Sequence, residues 1–175
     1  MKHYTIYTDG SAWPNDGTGV GSFAFIVRHN DSILIEQTGI EEPSTNNRME
    51  LQAAISGLQY VLNKNPGQNP NLLSASIVSD SAYTVNGINS WLFGWKQTNW
   101  KQGKLKNLDL WQKLDEVVQK FGTVRGNWIK GHSGIKYNEQ CDEMAEWARM
   151  EYSKEKDQRE TDLDNEFVEI VSIRG

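Results

Sequence analysis

Four carboxylates occupy places where a fold can bring them together: Asp9, Glu50, Asp80 and Asp142. Asp9 ends the run KHYTIYTDGS, in which Tyr4, Ile6 and Thr8 alternate with His3, Thr5 and Tyr7; this is a strand pattern stopped by an Asp-Gly turn signal. Asp80 ends a second apolar run, Leu72 to Ser79, and a helix follows it. In α/β sheets, ligands bind at this C-terminal edge. Glu50 falls in the first turns of a helix marked by Leu51, Ala54, Ile55, Leu58, Val61 and Leu62, with Thr45 or Asn46 as N-cap. Taken alone, Glu50 is better explained as a solvated acid favoured by the helix dipole. Asp142 lies near the start of a last helix, opened by Tyr137-Asn138, whose core stripe is Cys141, Met144, Ala145 and Ala148.

Carboxylate oxygens are the preferred ligands of hard divalent cations. Gathered without cations, four of them would repel and raise one another's pKa. A bound ion offsets that repulsion and becomes the dominant local charge. The matching chemistry is phosphodiester hydrolysis, which adds negative charge to a group that already carries one. Two metals about 4 Å apart can activate a water and stabilise the leaving 3′-oxygen. Other chemistries lack support. No Cys/His spacing fits zinc. Ser11 and Ser81 adjoin acids but read as turn residues, and Cys141 reads as core. The Gly-rich stretch after Asp9 lacks the strand–loop–helix grammar of a phosphate cradle.

The 175 residues suit one domain with one sizeable core. No apolar run approaches the ~20 residues of a membrane helix, and MKHYTIY enters a strand without a signal-peptide pattern. A single cysteine excludes an internal disulfide and fits a reducing compartment, so a cytoplasmic location is expected. The strands read as Lys2 to Ser11, Val20 to Arg28, Ser32 to Gly39, Leu72 to Ser79 and Thr123 to Ile129. Glu41 to Asn47 reads as a polar loop. Leu108 to Phe121 reads as an amphipathic helix with Leu110, Leu114, Val117, Val118 and Phe121 inward, charged residues solvated, and Gly122 as its stop.

The net charge of −5 argues against indiscriminate nucleic-acid binding, but the charge is uneven. Residues 151–175 carry −4, whereas Lys96, Lys101, Lys104 and Lys106 follow one another without an acid. Those lysines are interleaved with Trp91, Trp95 and Trp100. A helix with one buried aromatic face explains Trp91 and Trp95; it explains less well why all four charges share a sign. Aromatic residues among lysines suit a surface that grips a phosphate backbone. His132, between glycines in KGHSG after a strand, reads as a mobile functional residue beside the acids. Residues 153–175 read as an acidic tail, expected to be mobile, with a short terminal strand or a partner-binding segment as second choice.

In order and spacing, TDGS, TNNRMEL, SDS, the W…GWK…W stretch, GHSG and NEQCDEMA resemble ribonuclease H type 1 over roughly residues 3 to 150. The resemblance implies an α/β fold: a mixed five-stranded sheet in the order 3-2-1-4-5, its first three strands antiparallel, with helices on both faces. It places a catalytic domain at 1–152. It implies that Asp9, Glu50, Asp80 and Asp142 hold two Mg²⁺ ions, with Mn²⁺ as a substitute, and that His132 assists proton transfer or product release. The implied activity is endonucleolytic hydrolysis of the RNA strand of an RNA–DNA hybrid, leaving 5′-phosphate and 3′-hydroxyl ends, by a monomer needing no small-molecule cofactor or membrane. Asn15, Asn46 and Asn47 match positions facing the RNA minor groove. Thr45 and Asn107 match a DNA-phosphate pocket, and Tyr83, Trp91 and Trp95 match the DNA channel, which Lys96, Trp100 and Lys101 would extend. Eukaryotic members have an Arg in that pocket where this chain has Pro43. The competing readings are a same-fold nuclease acting on DNA and a non-catalytic hybrid-binding module; the complete acid set speaks against the second.

Overall fold

The computed structural model describes residues 1–174, with side chains described as far as Leu163. Five strands, β1 (Lys2–Trp13), β2 (Gly19–His29), β3 (Ser32–Ser44), β4 (Leu73–Ser79) and β5 (Thr123–Trp128), form one sheet in the order β3-β2-β1-β4-β5. The pairs β1–β2 and β2–β3 are antiparallel, and β1–β4 and β4–β5 are parallel. β3 runs five residues past Gly39 to Ser44, where a polar loop was expected, because Ile40, Glu41 and Ser44 continue the ladder to β2.

α1 (Asn46–Lys64) packs on one face through Leu51, Ala54, Ile55, Leu58 and Val61, with Ile6, Phe25 and Ile77 beneath it. Thr45 caps it, its hydroxyl accepting from the Arg48 amide. Short helices α2 (Ala82–Asn86), α3 (Leu92–Gln97) and α4 (Asn99–Gln102) lead to α5 (Leu108–Val118), which lies beside α1. α5 stops three residues before Phe121 and is capped by Gln119. Gly122 is not its stop: its amide instead donates to Leu73 O and joins the start of β4. Nor is the polar side of α5 wholly solvated, because Asp115 is buried and accepts from Lys96 and Gln119.

The opposite face of β1 and β2 is covered by α6 (Lys136–Arg174), through Cys141 and Ala145 on Ala24 and Ile26. The acidic segment 153–174 continues this helix; the terminal strand considered from sequence does not form. Tyr152 and Lys156 both bond Glu42 on β3, fastening the helix just beyond residue 150. No described helix is long and apolar enough to cross a membrane. The outer edge of β5 is closed by a side chain: Asn89 Nδ2 donates to Gly126 O, and Gly126 N–H donates to Asn89 Oδ1, both at 2.8 Å.

Candidate active site

Strand register brings the first two acids level. β1 and β4 pair through Tyr7 and Val78, so Asp9 and Asp80, each two residues further, stand side by side where the two strands part, Asp9 still paired to Ala24 of β2 and Asp80 just past the end of β4. Glu50 arrives from α1. Gly10 makes that approach possible, because a Cβ there would run into the Met49 carbonyl carbon and the Glu50 amide. Gly10→Ala is therefore expected to push α1 off β1. Overpacking of this kind costs about 1–3 kcal/mol, roughly 2–12 °C in melting temperature. Displacing Glu50 by an ångström should cost on the order of 10²-fold in rate. Parallel melting and cleavage assays check both effects, and an unchanged rate would mean that Glu50 does not need this contact.

One carboxylate oxygen from each of Asp9, Glu50 and Asp80 lies within 4.8 Å of the others. Asp9 and Glu50 are buried, and Glu50 Oε2 has no hydrogen-bond partner. Burial, followed by the charges of Asp80 and Asp142, pushes Asp9 up to about 8. Burial likewise lifts Glu50 well above the carboxylate range, with Asp9 and Asp80 adding to it. Asp80 is raised by burial and Asp142, and Asn138 partly offsets this. An orphaned buried oxygen and three mutually repelling acids are what a site built for a divalent cation shows when protein atoms alone are counted.

The fourth acid stands just outside this trio. Asp142 acts on both Asp9 and Asp80, yet Asp142 Oδ2 turns toward His132 Nδ1 at 3.8 Å. The His132 side chain is 81% exposed, and its backbone is left-handed at φ 52°. The protein thus brings Asp9, Glu50 and Asp80 within reach of one ion, with Asp142 and His132 at the rim. Two features hold Asp80 in place. Trp128 Nε1 donates to its carbonyl at 2.9 Å, and Gly131 leaves room for its carboxylate, since a Cβ there would sit 2.6 Å from Oδ2.

The asparagines form one unit beside the acids. Asn46 N–H donates to Asn15 Oδ1 at 2.8 Å, and Ala12 N–H donates to Asn46 Oδ1 at 2.7 Å. The oxygens of Asn15 and Asn46 are thus used within the protein, and both residues are exposed. Asn47 is exposed next to them. On the other side, Tyr83 OH accepts from Asn107 Nδ2 at 3.2 Å and from Trp111 Nε1 at 2.9 Å. Trp91, Trp95 and Trp111 pack edge to face or tilted around Tyr83, with successive centroids 5.0–6.1 Å apart. Tyr83, Trp91, Trp95, Lys101, Lys104 and Leu105 line a cleft of roughly 580 Å³. Asn99, Trp100, Lys101 and Gln102 all have positive φ, making a left-handed turn of a kind costly for L-residues and concentrated at functional sites.

Several of these supports were not singled out from sequence. Trp111 is fully buried and carries the aromatic stack. Its signal was present: it sits at i+4 from Asn107 and within the periodicity of α5. Arg48 ties α1 to α5 by a two-pronged bond to Asp109 at 2.9 and 3.0 Å, and also bonds Glu41 at 2.7 Å. Lys96 Nζ lies 3.1 Å from both Asp115 oxygens, so its charge is anchored to α5.

A mixed sheet with buried acids at its C-terminal edge, an amide cluster on one side and an aromatic–lysine cleft on the other has the make-up of a nuclease whose acids could hold a metal ion. The family model for RNase H matches residues 1–150, and the chain belongs to that family. Among curated relatives, the ribonuclease H of Jannaschia sp. (strain CCS1) is 43% identical over 150 residues, covering 83% of this chain and 90% of the relative. The ribonuclease H of Rhizobium etli is 39% identical over 159 residues, covering 89% and 97%. The ribonuclease HI of Haemophilus ducreyi is 41% identical over 148 residues, covering 83% and 89%. Among solved structures, LC9-RNase H1, a type 1 RNase H with the type 2 active-site motif, superposes with a TM-score of 0.74 at 27% identity, covering 85% of this chain and 72% of that one.

Proposed function

We propose that this protein is an endonuclease that hydrolyses the RNA strand of RNA–DNA hybrids, leaving 5′-phosphate and 3′-hydroxyl ends. The observation that carries the reading is the mutual reach of Asp9, Glu50 and Asp80 within 4.8 Å, in a chain of the RNase H family. These three, with Asp142 joining from the rim, would hold two Mg²⁺ ions or Mn²⁺ in their place. Bound there, the ions would supply Lewis-acid stabilisation of the phosphate charge and an activated water. The protein's own groups do the rest. Asn15 and Asn46 offer their free NH₂ groups, and Asn47 its whole amide, to 2′-hydroxyls, the feature that separates RNA from DNA. His132, exposed and hinged on glycines, carries a proton to or from the departing strand. Thr45 and Asn107 receive a DNA-strand phosphate. Tyr83, Trp91, Trp95, Trp100 and Lys101 bear the rest of that strand, and Lys96 seats the cleft on α5. The catalytic domain spans 1–152, with 153–175 appended, and works as a cytoplasmic monomer.

Incubation with hybrid, duplex RNA and duplex DNA, with Mg²⁺ or excess chelator, tests the reading. Equal cutting of duplex DNA, or cutting that persists in chelator, would overturn it. The two lysines separate in the same assay system. Lys101→Ala should flatten the dependence of log affinity on log salt by about 0.7–0.9, the value for one lost phosphate contact. Lys96→Ala should weaken binding with little change in slope, because its charge is already paired with Asp115. Affinity titrations at several salt concentrations check both, and equal slopes for the two variants would remove the distinction.

A further inference from the structure

The sheet face that α6 covers over β1 and β2 is open over β4 and β5, where Thr123, Arg125 and Asn127 are exposed. Register builds rows across this face, since directly paired residues share a side. One row is Arg28, Thr5, Ser76 and Arg125. The row below it is His3, Ser74 and Thr123, and the row above is Tyr7, Val78 and Asn127. His3, Ser74, Ser76, Arg125 and Asn127 line a depression of roughly 410 Å³, and no carboxylate lines it. His3 lies between two hydroxyls, with Nδ1 2.9 Å from Ser74 Oγ and Nε2 3.1 Å from Ser76 Oγ. Arg28 rests its guanidinium 4.6 Å from the Tyr137 ring centroid, and Lys136 stands 5.3 Å from the same ring. Among the described residues, neither Arg28 nor Arg125 makes an ion pair. Of the carboxylates on this side of the sheet, Glu36 lies out on β3 and is bonded to Gln140 of α6, and Asp9 lies at the catalytic edge beyond Tyr7. In a chain of net charge −5, a depression lined without an acid, with two guanidiniums that make no ion pair among the described residues, suits an anionic ligand.

This surface runs into the carboxylate site. Asp80 follows the end of β4, four residues after Ser76, about 13 Å at ~3.3 Å per residue. We infer that the open face is a second phosphate-binding surface, which takes a single-stranded nucleic-acid segment continuing from the cleavage site. Arg125 and Arg28 contact its phosphates, Ser76 and Asn127 donate to phosphate or sugar oxygens, and the Tyr137 ring holds the Arg28 guanidinium in place. The two arginines are three strand intervals apart, about 14 Å, which spans more than one phosphate. An acidic peptide would meet the same charges, but continuity with a phosphodiester site favours nucleic acid. The inference rests on the hydrolase reading above.

The test compares a blunt hybrid with hybrids extended by about ten unpaired nucleotides on each strand in turn, a length within the usual range of single-strand sites. The parent chain is expected to bind at least one extended substrate about three- to tenfold more tightly than the blunt one, with a steeper salt dependence. Arg125→Glu should remove that gain and the extra slope, and Arg125→Gln should remove most of both, while blunt-hybrid affinity and cleavage stay unchanged. Melting temperatures of both variants control for folding. No gain from any extension, or a gain that survives Arg125→Glu, would overturn the inference. So would displacement of the extension by a glutamate-rich peptide at equal charge concentration. Failure to bind or cut the blunt hybrid at all would instead sink the hydrolase reading.

Discussion

Asp9→Asn is expected to lower hybrid cleavage by on the order of 10³-fold or more, since metal-borne charge stabilisation is worth several kcal/mol and each 1.36 kcal/mol is tenfold in rate. Hybrid affinity should stay within a few-fold of the parent, because the asparagine cluster and the aromatic cleft lie outside the acids. The substitution keeps the shape of the side chain, replaces one carboxylate oxygen by NH₂ and removes the negative charge of one of the three acids whose oxygens converge within 4.8 Å. Single-turnover cleavage and equilibrium binding, measured on the same hybrid, separate the two effects. A rate within about tenfold of the parent would take Asp9 out of the chemistry and leave the cluster without a function.

The second large effect is on stability. With Asp9 held at about 8 in the folded protein against 3.8 as its ordinary value, the folded state binds more protons than the unfolded chain across that window. Unfolding free energy must then fall as pH rises from about 4 to about 8, and Glu50 and Asp80, also raised, add to the loss. The melting temperature of chelator-treated protein should drop by several degrees or more over this range. Mg²⁺ should restore it most strongly at the alkaline end, where the carboxylates are charged. Asp9→Asn should melt higher than the parent without cations at pH 8 and gain less from Mg²⁺. A flat profile in chelator would show that the acids are relieved by something other than a cation, and that their crowding carries no free-energy cost.

The individual strands and the acids that end two of their runs were legible because each rests on a local rule, whereas the order of the strands in the sheet came from the family resemblance. Alternation in KHYTIYT, an apolar run before Asp80 and helical spacing after Asn46 each limit what the backbone can do. What was not legible depends on partners distant in the chain. Asp115 looked like one more solvated acid on α5, and only the fold of residues 91–106 brings Lys96 onto it. Arg48 sits inside the TNNRMEL stretch, but its bond to Asp109 depends on how α5 lies beside α1. The left-handed turn at Asn99–Gln102 has no glycine to announce it until Gly103. The length of β3 was missed because Glu41, Glu42 and Pro43 read as loop, although edge strands tolerate such residues. Asp142 was grouped with the other acids from sequence; the structure sets it near Asp9 and Asp80, and its tilt toward His132 is a rotamer, which sequence does not encode.

The doubled bond between Asn89 and Gly126 has a consequence for chains crowded onto one polyanion. β5 is the outermost strand beside the catalytic edge, so copies gathered along the same hybrid would present bare backbone to each other there. By posing as a neighbouring strand for one residue, the Asn89 amide takes up both backbone groups of Gly126 and interrupts the row that a strand of another molecule would need for zippering.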